Sequence, residues 1–168
     1  MTLLFAACDS TDAGDRVSPA ATAAPAQAAT STVIEATPVA AGEPLTITTA
    51  AGLMVPLHAE IAETREQRTQ GLMGRSELAP DSGMLFAIEP PGRGFWMRGT
   101  TLPLTVAFVA ECGLIVDFAD LEPLSEEIKN TDRPYAFALE MERGWFAAHG
   151  IAVGDTLSLP DRLRPETC

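Results

Sequence analysis

Lysine is almost missing from this sequence. Lys129 stands alone beside ten arginines, and eleven basic residues face 23 acidic ones, for a formal charge of −12. Nucleic-acid binding needs clustered cations to neutralise phosphates, so this deficit argues against a nucleic-acid partner. It also removes basic docking on an anionic membrane. Histidine is scarce, with only His58 and His149, and the three cysteines are far apart. Neither supports a zinc site by spacing. No HExxH, EF-hand, phosphate-loop or GxSxG pattern occurs, so the expectation is no metal and no cofactor. No apolar run approaches the ~20 residues of a membrane-spanning helix.

Aliphatic bulk is thin from 9 to 42, where Ala, Thr, Pro and Ser dominate around Val33-Ile34. Such a stretch cannot bury enough surface to offset the entropy of ordering. It reads as a disordered tether, extended by Pro19, Pro25 and Pro38. Ahead of it, Met1–Ala7 is apolar with small residues before Cys8. This resembles the end of a bacterial lipoprotein signal peptide, although a positive n-region is lacking and the h-region is short. The resemblance implies a lipidated Cys8, attachment to the membrane through that lipid only, and a periplasmic or cell-envelope location. The expected layout is a signal remnant at 1–8, a tether at 9–42 and one globular domain at 43–168. Cys112 and Cys168 then remain as an even pair in an oxidising compartment. They are either bridged, worth roughly 4 kcal/mol in the chain-entropy model, or two free thiols near a chain end.

Within the domain, Leu45–Thr49 alternates, Ala51-Gly52 turns, and Leu53–Ile61 alternates again, a hairpin with one buried face. Pro56 places its strand at an edge or a bulge. Thr64-Arg65-Glu66-Gln67 has the form of a capping box, opening a short helix that stops at Gly71. Gly83–Ile88 and Thr105–Ala110 are apolar on both faces, as covered strands are. Glu111-Cys112-Gly113 joins Thr105–Ala110 to Leu114–Ala119 in a second hairpin. Tyr135, Phe137, Leu139 and Met141 share one strand face, and Ala136, Ala138 and Glu140 the other. Glu142–His149 fits two turns of helix, and Gly154-Asp155 turns into a last strand. Seven to nine short strands and two short helices give a mainly β fold, at the margin of α+β. The expected form is a compact barrel-like or jelly-roll-like β-sandwich.

Three segments carry a family resemblance. They are Arg68-x-x-Gly71-Leu72-Met73-x-Arg75, Gly83-Met84-Leu85-Phe86, and Phe95-Trp96-Met97-Arg98-x-Thr100-x-x-Pro103-Leu104. Together with the later Phe108, Gly113, Ile115, Leu139-Glu140 and Gly154-Asp155, they resemble the bacterial and archaeal domain of unknown function 192. The resemblance implies a compact, mostly β fold and no particular reaction. Gly99 stands where that family usually has Asn, and Thr105 where an acid is common, which implies an altered polar site if those side chains serve one.

Arg68, Arg75, Trp96, Arg98 and Thr100 form the sharpest constellation. An aromatic face beside guanidinium groups suits an anionic or planar small ligand. The competing structural reading pairs Arg98 with Glu140 or Asp117 and uses Trp96 to cap the core. Acid–base catalysis needs two facing carboxylates, and Asp117 with Glu140 is the best pair. The leading expectation is a lipid-anchored, non-catalytic binding or envelope-associated module. The alternatives are a small hydrolase or carbohydrate-processing enzyme using Asp117 and Glu140, and a structural partner of an envelope protein complex.

Overall fold

Alternation from Leu45 to Ile61 does fold as a hairpin, and everything else is laid beside it. The computed structural model describes residues 42–88 and 94–167. Cys8, the tether up to residue 41, the loop at 89–93 and Cys168 lie outside the described residues. The elements are β1 (Glu43–Thr48), β2 (Met54–Ala62), α1 (Arg65–Gln70), β3 (Ser82–Ala87), β4 (Leu104–Val109), β5 (Ile115–Leu121), β6 (Phe137–Glu142), α2 (Trp145–Ala148) and β7 (Thr156–Leu157). A 3-10 turn follows at Asp161–Leu163. The fold is mainly β, and the strands form one sheet in the order β5-β4-β6-β3-β2-β1-β7. Of the barrel-like and jelly-roll-like forms, a single curled sheet is the barrel-like one.

All pairings are antiparallel except β2–β3, which is parallel and needs the crossover that carries α1. The two outer strands of the sheet meet at one end. Leu114, just ahead of β5, bridges Thr156 of β7; Ile115 N donates to Asp155 O and Leu157 N to Gly113 O, each at 2.8 Å. Curling thus pairs backbone groups that an open sheet would leave exposed.

The strand that carries Pro56 is not an edge strand, contrary to expectation, although Pro56 itself lies where β2 pairs with β1 alone. It lies opposite Thr46 of β1, whose N–H and C=O bond Ser158 on the other side. The nitrogen of Pro56 therefore points toward β3, and β3 pairs only from His58 onward. The missing donor faces a position with no ladder to break. The helix expected from Glu142 starts later, because β6 runs on to Glu142 and Gly144 (φ +86°) turns the chain into α2.

β3, β4 and β6 are buried on both faces. Inside the curl, Leu85, Ala107, Val109, Leu139 and Met141 pack with Ile47, Leu57, Ile115 and Leu157. On the outer face Met84, Phe86, Val106, Phe108 and Ala138 pack beneath Leu72 and Met97. Tyr135 joins this outer cluster and leaves the face of Phe137, Leu139 and Met141 to the interior, since it precedes the strand and does not share its alternation.

Closure of the curl predicts a particular sensitivity. Gly113 has φ +86°, and a Cβ there would sit 2.1 Å from the Leu157 carbonyl oxygen. Gly52 has φ +82° with open space around it. In urea titrations Gly52→Ala should cost about 1–2 kcal/mol, the backbone term alone. Gly113→Ala should cost on the order of 2 kcal/mol more, because the β7 backbone must move. Equal losses would show that the β5–β7 junction contributes nothing.

Candidate functional site

The outer layer over β3, β4 and β6 is made of irregular chain, and its backbone hydrogen bonds explain how it holds a shape. Thr64 caps α1: its side chain accepts from Gln67 N at 3.2 Å while Gln67 Oε1 accepts from Thr64 N at 2.9 Å. Gly71, at φ +48°, ends the helix against the Phe86 ring, and buried Leu72 pins the turn. Gly74 N then donates to Gly99 O at 3.0 Å, joining this turn to the segment at 95–100. That segment is held in turn by Phe95–Lys129 pairing, Met97 N to Ser125 O at 2.8 Å, and Leu124 N to Thr100 O at 2.9 Å. Gly99 itself has φ +70°, a region that Gly and Asn both tolerate. The difference from the usual Asn thus has a backbone reason. Thr105, buried in β4, donates to Asp120 Oδ1 at 2.7 Å across the β4–β5 pair.

Between α1, the 71–73 turn and the 95–100 segment lies a cavity of about 840 Å³. Phe86, Phe95, Trp96, Tyr135, Met73 and Ile88 give it an apolar lining, Arg65 and Arg68 border it from α1, and Thr100 and Glu140 are its buried polar groups. Phe86 and Phe95 meet edge to face at 5.3 Å, and Phe108 and Tyr135 at 4.9 Å, which fixes the ring planes. Glu140 lies in β6 directly between Met84 of β3 and Val106 of β4. It is 5% exposed, and its carboxyl group has no hydrogen-bond partner among the described residues. Desolvation pushes its pKa up to about 8.

The residues singled out from sequence divide around this cavity. Trp96, Thr100 and Arg68 line it. Trp96 is 46% exposed, so it does not cap the core. Arg68 donates to the carbonyls of Glu63 at 2.6 Å and Ala87 at 3.1 Å. Arg98 stacks on Trp96, 4.3 Å from the ring centre, and pairs with Glu126 at 3.1 Å, not with Glu140 or Asp117. It lies outside the cavity. So does Arg75, which forms a two-point ion pair with Glu60, one arm at 2.8 Å.

Asp117 is no partner for Glu140. Its carboxylate accepts from Thr131 Oγ1 at 2.7 Å and from Phe118 N at 2.9 Å, and the Thr131 hydroxyl holds its pKa down. It sits opposite Phe108, and Phe108 opposite Ala138, two strands and two residues from Glu140. Sheet spacing makes that roughly 12 Å between backbones, and Asp117 is not among the residues that line the cavity. Cys112 is disulfide-bonded, while Cys168 lies outside the described residues. Sequence reasoning missed Arg65, Met73 and Tyr135, which reach the cavity only through the folding of α1 and the outer layer.

The family model described as uncharacterized ACR, DUF192, matches residues 46–159, more than half of the sequence. The chain belongs to the DUF192 family. Two crystal structures are similar to it, each with a TM-score of 0.64. A putative transcription regulator from Sinorhizobium meliloti 1021 is 37% identical, over 68% of this chain and 91% of that one. A protein of unknown function from Novosphingobium aromaticivorans DSM 12444 is 33% identical, over 69% of this chain and 84% of that one. No curated protein matches.

Burial of Glu140 sets a pH dependence in this DUF192 domain. Its folded pKa lies above the ordinary value of 4.5, so the folded state holds the proton more tightly than the unfolded state does. Its contribution to stability is intact at low pH, declines as pH rises past 4.5, and levels off above about 8. At about 1.4 kcal/mol per unit, the loss is on the order of 4–5 kcal/mol at most. Glu140→Gln should therefore gain on the wild type steadily from pH 5 to pH 8 in denaturant titrations. A pH-independent difference between the two proteins would contradict the desolvation.

Proposed function

We propose that this DUF192 domain is a binding module of the bacterial cell envelope, tethered by a lipid on Cys8, that takes a small ligand into the cavity beside Trp96. The observation that carries this reading is the cavity's composition: aromatic and apolar side chains on one part of its wall, polar side chains of α1 on another, and two buried polar groups, Thr100 and Glu140, in its lining. Ligand sites have this character, since apolar walls give affinity and a few fixed polar groups give orientation. Its volume also falls in the usual range for such sites. The description of the Sinorhizobium meliloti protein as a putative transcription regulator is not carried over, because a charge of −12 opposes contact with DNA phosphates.

A second reading has one observation in its favour. A carboxyl group with a pKa of about 8 is suited to proton transfer near neutrality, so Glu140 alone is a candidate general acid or base. With Asp117 held by Thr131, a paired-carboxylate hydrolase is not part of that reading.

Thermal-shift screening of a diverse small-molecule library, read alongside Trp96 fluorescence, tests the binding reading. At least one compound class should raise the melting temperature. Trp96→Ala should weaken its binding tenfold or more, and Arg98→Ala no more than a few-fold, because Arg98 is outside the cavity. Equal losses for both variants would move the site to the exposed Trp96–Arg98 surface. For the tether, mass spectrometry of protein expressed with its native upstream sequence should show a diacylglyceryl group on Cys8, and an unmodified Cys8 refutes it.

A further inference from the structure

Building on the reading of the cavity as a ligand site, we infer that its ligand is an organic cation. A primary ammonium group pairs with Glu140, and an apolar or aromatic body rests against Phe95, Trp96 and Tyr135. The reason is that Glu140 is the exception among the withdrawn acids of the described residues. Asp155, equally buried, accepts from Ala50 N at 2.8 Å and Ala152 N at 2.7 Å. Asp117 has Thr131 and the Phe118 N–H, Asp120 has Thr105, and Glu60 has Arg75. Glu140 has no donor and no counter-ion among the described residues, yet it borders open space.

The arginines that share the cavity do not meet this need. Arg68 is committed to the carbonyls of Glu63 and Ala87, and Arg65, on exposed helix, forms no ion pair with Glu140. The strand neighbours Met84 and Val106 are uncharged, and Tyr135 is the other titratable side chain at the cavity. Burial raises the pKa of Tyr135 too, against a smaller opposing effect of the Gly94 N–H, so it stays neutral through pH 8. An anionic ligand drawn in toward Glu140 would meet an acid; an ammonium group supplies both the charge and the donors that are missing. The surrounding rings favour the same sign of charge, as Arg98 stacked on Trp96 illustrates.

Binding of this kind is linked to a proton. Near neutrality Glu140 is largely in its acid form, so the ammonium ion enters, the carboxyl group gives up its proton to solvent, and an ion pair remains. Affinity for the cation then rises with pH up to about 8 and flattens beyond it.

Calorimetry on the whole chain tests this with matched probes. Benzylammonium, 2-phenylethylammonium, tryptamine and octylammonium are compared with the corresponding alcohols, and with phenylacetate as the anion. The expected result is that at least one ammonium probe binds tenfold or more tightly than its alcohol. It should release close to one proton at pH 7, measured in buffers of different ionisation enthalpy, and bind more tightly at pH 8 than at pH 6. Glu140→Gln should abolish the tenfold preference and leave alcohol binding within about twofold. The proton release is read on the wild type, so the test holds even if that variant folds poorly. Three outcomes overturn the cation assignment but leave the cavity standing as a ligand site: alcohols or phenylacetate binding as well as the ammonium probes, no proton release, or library compounds binding while no ammonium probe does. If neither the probes nor the library bind, the ligand-site reading fails and this inference fails with it.

Discussion

Burial of β3, β4 and β6 on both faces is the constraint from which the rest of this domain follows. One face closes over the interior by curling the sheet until β5 and β7 meet. The other face has no second sheet to cover it, and the two helices are too short to do so, with six and four residues. The cover must therefore come from turns and irregular chain, and Leu72 and Met97 are the side chains that anchor it. Full burial of such a side chain contributes about 1.5–3 kcal/mol, enough to order a short turn but not a long loop. The additional order comes from backbone pairs between cover segments, Gly74 to Gly99 and Met97 to Ser125. A cover built this way does not pack evenly, and the cavity beside Trp96 is the unfilled space that results.

Much of this was legible in the sequence because it is local. Two-faced apolar runs identified β3 and β4, alternation identified the β1–β2 hairpin, and the capping box fixed the start of α1, since each depends on residues within a few positions of one another. Trp96 stood out from its polar company in the sequence, and the structure places it in the lining of the cavity. What was not legible depends on register. Arg75 looked like a companion to Trp96 and Arg98, but the parallel β2–β3 pairing brings Glu60 within its reach instead. Asp117 and Glu140 looked alike because both interrupt apolar strands. Only the β5-β4-β6 order shows that two strand spacings separate them. Tyr135 was assigned to the wrong face because alternation was extended past the point where β6 begins.

The two buried acids among the described residues are held in opposite ways. Asp155 and Glu140 are similarly withdrawn from water, at 4% and 5% exposure. Asp155 binds two backbone N–H groups, one in the β1–β2 turn and one in the loop before β7, so its charge holds distant segments together. An acid so placed belongs to the scaffold. Glu140 makes no such link, and at neutral pH its burial works against folding. An apolar residue in its place would pack between Met84 and Val106 and join the outer cluster. No hydrogen bond or ion pair among the described residues involves the carboxyl group, and it borders the cavity lined by Phe95, Trp96 and Tyr135. The cavity therefore joins a buried acid, Glu140, to an accessible ring, Trp96, in one lining.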